Sequence, residues 1–335
     1  INKSMNIRYQ AILPGVSVSV ITGLAALFLS DHYGSPAMLF ALLIGMAVSF
    51  LYRADSPSTE GIDFCASTLL RTGVVLLGLR LALEDLTALG WDTLGLLCFA
   101  ILTTILLGIG LAKIFGLKGQ LGALTGGAVA ICGASAALAI STILPKGQHH
   151  ERDTLVTVIG VTAMSTIAMV LYPIIAVQLN LSDSEAGIFL GGTIHDVAQV
   201  VGAGYSISQE VGDMATLTKL VRVAMLVPVV MIMVLVVAKT LSVGIKSRQT
   251  NSPKIPLFLV GFVMMMLVNS FFVLPESLVE MGSQISRFFL IVSIAAIGMK
   301  SNLGQLINVG VRPIIMIFAE TLWLALIILG YLHFS

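Results

Sequence analysis

Residues 122–141 read GALTGGAVAICGASAALAIS, and residues 187–208 read GIFLGGTIHDVAQVVGAGYSIS. Both are apolar runs of membrane-span length interrupted by glycine and polar side chains. Backbone amides cannot stay unpaired in lipid, so an interrupted helix must sit inside protein or line a cavity. At the break, a half-helix N-terminus presents free N–H groups and a partial positive charge, which favours an anion without any charged side chain. In segment 119–144 the break falls at Cys132-Gly133-Ala134-Ser135, where glycine permits the turn and Ser135 caps the second half-helix while offering a hydroxyl. In segment 185–208 it falls at His195-Asp196, with Gln199, Gly202 and Gly204 following. Gly122, Gly126 and Gly127 match Gly187, Gly191 and Gly192 at one constant offset, and Val129 matches Ile194 at the same offset. A second echo joins Gly78-Leu79-Arg80 and Leu83 to Gly298-Met299-Lys300 and Leu303. Together the echoes predict internal structural repeats, a common plan for secondary transporters. The competing reading of Gly122/Gly126 and Gly187/Gly191 is close helix packing through GxxxG.

The rest of the chain fits this setting. Of 335 residues, 57% are apolar and 10% charged, where a soluble domain carries roughly 25% charged. Mean hydropathy is +1.01. These values exclude a soluble globular protein, a disordered chain and a secreted disulfide scaffold. With 18 Lys+Arg against 17 Asp+Glu, the net charge of +1 provides no basic surface for nucleic acid. Cys65, Cys98 and Cys132 form no CxxC pair, and no Walker, GxGxxG, GxSxG, HExxH or EF-hand motif occurs, so no cofactor or metal is expected. About eleven apolar segments follow one another with tight connections: 12–29, 36–51, 64–83, 89–111, 119–144, 154–179, 185–208, 215–239, 255–273, 285–300 and 312–332. The predicted fold is an all-α polytopic membrane protein, residues 1–335 forming one transporter domain with two broken or re-entrant helices.

Lys/Arg bias sets the expected orientation. With the N-terminus cytoplasmic and all segments crossing, Lys3, Arg8, Arg53, Lys113, Lys118, Lys246, Arg248, Lys254 and Arg312 lie inside and the C-terminus outside, while Lys146 and Arg152 break the rule. If segments 119–144 and 185–208 dip in and return, that violation disappears.

Charge at membrane depth costs roughly 2.5–3.5 kcal/mol on insertion scales, so each buried ionisable residue asks for a reason. Arg71 sits near the middle of its segment without a partner on its own helix, whereas Arg80 has Glu84 at i+4 and reads as an interfacial ion pair. Lys219 and Arg222 share a helix face at i, i+3, and reach either a site or the headgroups. Glu320 lies mid-span, placed to carry a proton or to pair with an arginine.

The stretches GGAVAICGASAALAIS, GGTIHDVAQVVGAG and KLVRV, with LLRTGVVLLGLRL and IAAIGMK, resemble the YeiH-type sulfate exporter family from about Ile12 to the C-terminus. That resemblance implies a bacterial inner-membrane secondary transporter with inverted repeats, a homodimer, exporting sulfate or sulfite. Its pattern falls on Gly126, Gly127, Cys132, Gly133, Ser135, His195, Lys219 and Arg222. Two positions depart from it: Asp196 stands where the family has Glu, and Gln199 where it often has His. The shorter acid reaches less far, and Gln does not titrate.

The expected function is therefore alternating-access transport of a small inorganic oxyanion. Gly126, Gly127, Cys132, Gly133, Ala134 and Ser135 hold the anion, with Arg71 or Lys219 and Arg222 supplying charge. His195, Asp196, Gln199 and Glu320 handle a coupling proton or sodium ion. The alternative is a cation–proton antiporter exchanging at Asp196 and Glu320. An enzyme would need a nucleophile–base pair or metal ligands, and a channel a repeated filter loop; neither is found.

Overall fold

The computed structural model describes residues 2–33, 36–53, 55–82, 84, 89–145, 150–240, 257–272, 274–301 and 310–334. The polar stretch 244–254, and the echo positions Leu83 and Leu303, lie outside the described residues.

Among the described residues the structure is helical, without a strand. In chain order the helices are α1 (Asn2–Tyr33), α2 (Ala37–Ala47), α3 (Thr59–Phe64) running through a π-turn at Cys65–Leu69 into α4 (Leu70–Leu77), α5 (Gly90–Ile114), α6 (Gly119–Ala130), α7 (Ala134–Ile143), α8 (His150–Gln178), α9 (Asp183–Thr193), α10 (Val197–Tyr205), α11 (Gln209–Ala224), α12 (Leu226–Thr240), α13 (Leu257–Phe271), α14 (Glu276–Lys300) and α15 (Val311–Phe334). Among the described residues six stretches are long and apolar enough to cross a membrane: Ala11–Tyr33, Gly90–Ile114, His150–Gln178, Gln209–Val237, Glu276–Lys300 and Val311–Phe334. Ala37–Ala47, Ala134–Ile143 and Leu257–Phe271 are apolar but shorter. Segments 119–144 and 185–208 are each two half-helices, α6 with α7 and α9 with α10, so neither is one continuous spanning helix.

The chain folds into two compact units. The first holds Ile1–Ala88, Val201–Asp213 and Pro256–Asn302, and the second Leu89–Val200, Met214–Ile255 and Leu303–Ser335. In the first, α14 is the central helix, packed by α1, α2, α3 and α4. Glycine makes this possible, because in lipid there is little hydrophobic drive between helices and close backbone approach must supply the contact. A Cβ on Gly298 would lie 2.5 Å from Leu42 O, and one on Gly45 would collide with Ala295 O. Gly15 and Gly61 meet in the same way where α1 crosses α3. Ser286 on α14 donates its hydroxyl to Gly73 O of α4 at 2.7 Å.

In the second unit, α6 packs along α5, and α15 lies against α5, α6, α8 and α9. The matched glycines are packing positions. Gly122 abuts the Gly108 backbone, and a Cβ on Gly126 would stand 2.9 Å from both Ile105 Cα and Thr104 O. Gly187 and Gly191 press on Met214, Ala215 and Thr218 of α11. These contacts seat α6 against α5 and α9 against α11.

Candidate functional site: where two interrupted helices meet

The first interruption is a sharp turn at Ile131-Cys132-Gly133. Gly133 has φ +63° and ψ −126°, a conformation that L side chains rarely adopt, which explains why glycine stands there. The second runs through Ile194 in extended conformation, with φ −65° and ψ 139°, to His195 and Asp196. The two turns touch: a Cβ on Gly133 would lie 3.5 Å from His195 Cβ.

Each interruption strands backbone carbonyls at one half-helix C-terminus and N–H groups at the next N-terminus. The carbonyls are served by Lys219 and Arg222 of α11, both fully buried. Lys219 Nζ donates to Ile131 O at 2.6 Å and to Ile194 O at 2.9 Å. Arg222 donates through Nε and Nη2 to Ala130 O, through Nη2 to Val129 O, and through Nη1 to Gly191 O and Ile194 O, all at 2.8–3.1 Å. The remaining carbonyls at the end of α6 are used by the turn itself, Gly127 O by Ile131 N–H and Ala128 O by Gly133 N–H. Two cations thus cap the negative ends of α6 and α9 together, where helix dipoles and unpaired carbonyls favour them most.

The N-terminal ends are treated differently. The α10 end is closed by Asp196, whose carboxylate accepts from Ala198 N–H at 3.3 Å and whose own N–H donates to Ser165 Oγ at 3.1 Å. Gln199 is anchored on Thr166 Oγ1 at 2.9 Å, leaving its buried Oε1 without a partner. The α7 end has no side-chain cap: Gly133 precedes it, Ala134 is half-buried and Ser135 is exposed. Cys132 is buried beside it.

His195 is fully buried, with Nε2 2.9 Å from Thr321 Oγ1 on α15. Thr321 already donates its hydroxyl hydrogen to Ile317 O at 2.7 Å. Its oxygen therefore accepts, which assigns the ring proton to Nε2 and leaves Nδ1 bare. Among the described residues Nδ1 has no hydrogen-bond partner. One residue along α15, Glu320 is also fully buried. Its Oε1 accepts from Thr125 Oγ1 at 2.7 Å, while among the described residues Oε2 has no partner, and neither does the buried Thr104 hydroxyl.

The second unit therefore brings together Cys132, Gly133, Ala134, Ser135, His195, Asp196, Lys219 and Arg222 around the crossing, with Gln199 and Glu320 held in the same unit. Gly126 is turned to α5, and Gly127 to Ile140 of α7. Arg71 belongs to the first unit, where its side chain is exposed. Arg80, also there, pairs with Asp213 at 3.0 Å. The hydroxyls of Thr125, Ser165, Thr166 and Thr321 escape a reading of the sequence, because threonine and serine in apolar helices ordinarily bond their own backbone.

Residues 14–317 match the family described as Conserved hypothetical protein 698. The chain is 47% identical to the UPF0324 membrane protein CT0845 of Chlorobaculum tepidum, over 98% of this chain and 91% of that protein. It is 44% identical to the UPF0324 membrane protein TauZ of Paracoccus pantotrophus, over 96% and 94% of the two chains. A third relative, the UPF0324 membrane protein RB0971 of Rhizobium meliloti, is 45% identical over 99% and 96%. These three names carry no sulfate label, so they support the membrane setting and leave the substrate open. Together with the six helices fit to span a bilayer, they make this chain a multi-pass membrane protein of the Conserved hypothetical protein 698 family, whose relatives bear the name UPF0324.

Proposed function

We propose that the protein is a secondary transporter, an exporter of a small inorganic oxyanion such as sulfate or sulfite, working by alternating access in the bacterial inner membrane. One observation carries this reading: the two interruptions meet with Lys219 and Arg222 donating to the carbonyl ends of both, while the α7 N-terminus has no side-chain cap and is reachable at Ser135. A charge tally favours an anion. Lys219 and Arg222 bring two positive charges and Asp196 one negative. The two half-helix C-termini and two N-termini contribute about half a charge each and cancel. With Glu320 protonated, about one positive charge is left at the crossing. A cation would meet repulsion there, and an anion finds N–H groups and the Ser135 hydroxyl.

In this reading Lys219 and Arg222 set the potential through the helix ends rather than by touching the substrate. His195, with its bare Nδ1, and Glu320, with its free Oε2, take up the coupling proton; sodium is the other coupling ion considered. The membrane arrangement proposed with it has about eleven segments in inverted repeats, the N-terminus cytoplasmic and the C-terminus periplasmic, in a homodimer. Transport, not catalysis, is the activity proposed.

The unpaired Glu320 carboxylate favours one second reading, a cation–proton antiporter exchanging at Glu320 and Asp196. Thermal unfolding of the purified protein at fixed ionic strength separates the two. Sulfate or sulfite at ten times Kd should stabilise by about 1.4 kcal/mol. Ser135→Ala, which deletes a hydrogen bond to a charged ligand, should weaken binding about tenfold or more. Anion export from proteoliposomes should follow the same order. Wild-type anion affinity in Ser135→Ala would sink the cradle. A sodium- or pH-dependent shift without any anion shift, lost in Glu320→Gln, would establish the antiporter.

A further inference from the structure

The first unit contains a preformed polar cavity of about 260 Å³. It opens at the end of that unit where α1 finishes (Ser30), α2 begins (Pro36, Ala37), α4 ends (Leu77, Arg80), α11 begins (Gln209) and α14 starts down (Ser283, Arg287). Its floor is apolar and buried: Ala37, Met38, Leu77, Leu290 and Ile291. Its rim is cationic and hydroxylic. Arg80 is fixed in place by Asp213, 3.0 Å away, and that carboxylate is held in turn by the Tyr205 hydroxyl at 2.5 Å. The Tyr205 ring lies so close on Gly212 that no Cβ fits there. On the α14 side, Ser286 is tied to Gly73 O, fixing the wall against α4. Arg287 is exposed on this rim and, among the described residues, makes no hydrogen bond or ion pair. Of the lining side chains only Arg80 and Arg287 are charged; Arg80 is paired with Asp213, and the guanidinium of Arg287 remains available to an anion.

We propose that this cavity is a binding site for a small organic anion, one carboxylate, sulfonate or phosphate head on a short apolar body. The chemistry follows from the walls. An anionic head meets Arg287 in bidentate geometry, with Arg80, Ser283 and Ser208 beside it, and the body lies on the buried aliphatic floor. A bare inorganic ion would use the rim and leave the floor empty. The cavity lies entirely within the first unit and shares no residue with the helix crossing. Its occupant is therefore independent of the oxyanion proposed there.

The test is a binding series with straight-chain alkanesulfonates from methane- to octanesulfonate, on the full-length protein in a zwitterionic detergent at constant ionic strength, read by calorimetry and thermal shift. Alkanesulfonates keep their charge across the pH range, so only the body varies. Affinity should rise about fourfold for each added methylene until the floor is covered, then fall. Arg287→Gln removes an exposed side chain that makes no hydrogen bond or ion pair among the described residues; it should leave unfolding of the free protein unchanged and weaken butanesulfonate at least tenfold. Ser283→Leu, which fills the mouth, should abolish the chain-length dependence. Binding that survives Ser135→Ala separates this site from the helix crossing. Equal affinity for sodium chloride and every sulfonate, or butanesulfonate affinity unchanged in Arg287→Gln, overturns the proposal. So does Arg287-dependent stabilisation by phosphatidylglycerol alone, which would make the occupant a lipid headgroup.

Discussion

Removing the Arg222 guanidinium tests the central claim about the crossing, that a single side chain holds the carbonyl ends of two half-helices. In Arg222→Leu, Ile194 O keeps Lys219 as its donor, but Val129 O, Ala130 O and Gly191 O lose theirs. Each orphaned buried acceptor costs about 1–3 kcal/mol. The gross loss is then about 3–9 kcal/mol, before relief of the desolvation that the buried guanidinium itself suffers. That relief brings the expected net loss toward the lower end of the range, about 3–5 kcal/mol. Arg222→Lys keeps the charge but replaces a planar fork with a point donor that cannot span both helix ends; it should lose about half as much. Arg71→Gln is the control, an arginine exposed on α4, and should stay within about 0.5 kcal/mol of wild type. Reversible unfolding in mixed detergent–SDS micelles, followed by helical circular dichroism, ranks the three. If Arg222→Leu falls within about 1 kcal/mol of wild type, the carbonyl ends are satisfied some other way and the charge tally built on them fails.

Two further outcomes follow from local geometry. Gly133→Ala should cost about 1–3 kcal/mol through backbone strain alone, because the added Cβ meets His195 Cβ at an ordinary 3.5 Å while φ stays at +63°; a loss below about 0.5 kcal/mol would show that the turn is not strained against an L residue. At the head of α9, Ser182 and Glu185 form a capping box, with Glu185 Oε2 2.8 Å from Ser182 N and 2.6 Å from its hydroxyl. Ser182→Ala should lower stability by about 1 kcal/mol in the same unfolding assay, and an unchanged midpoint would refute the cap.

The two interruptions were legible in the chain because they break a strong rule locally. An apolar run at membrane depth has no use for Cys-Gly-Ala-Ser or His-Asp, and Gly133 is a residue type that only the backbone conformation explains. The offset glycines were legible as glycines, yet their use was not. Packing and ligand approach both demand the absence of a Cβ, and only the positions of Ile105, Ala215 and Ile140 show that Gly126, Gly191 and Gly127 are spent on packing or lie against it. Arg71 and Arg222 illustrate the same limit: each is an arginine on a helix of this membrane protein, but one is exposed and the other fully buried.

What the sequence by itself determined is the solvent and the secondary structure. Composition, span length and the positions of glycine and charge are properties of the chain read one segment at a time, and they dictate helices in a bilayer with two of them interrupted. What only the tertiary structure decided is how the interruptions are satisfied. The partners of Lys219 and Arg222 are backbone carbonyls up to 93 residues away, and a carbonyl carries no signature of the residue that bears it. The uncapped end at Ser135 and the bare nitrogen of His195 are likewise defined by which donors and acceptors fail to arrive, and that is settled only when distant helices pack.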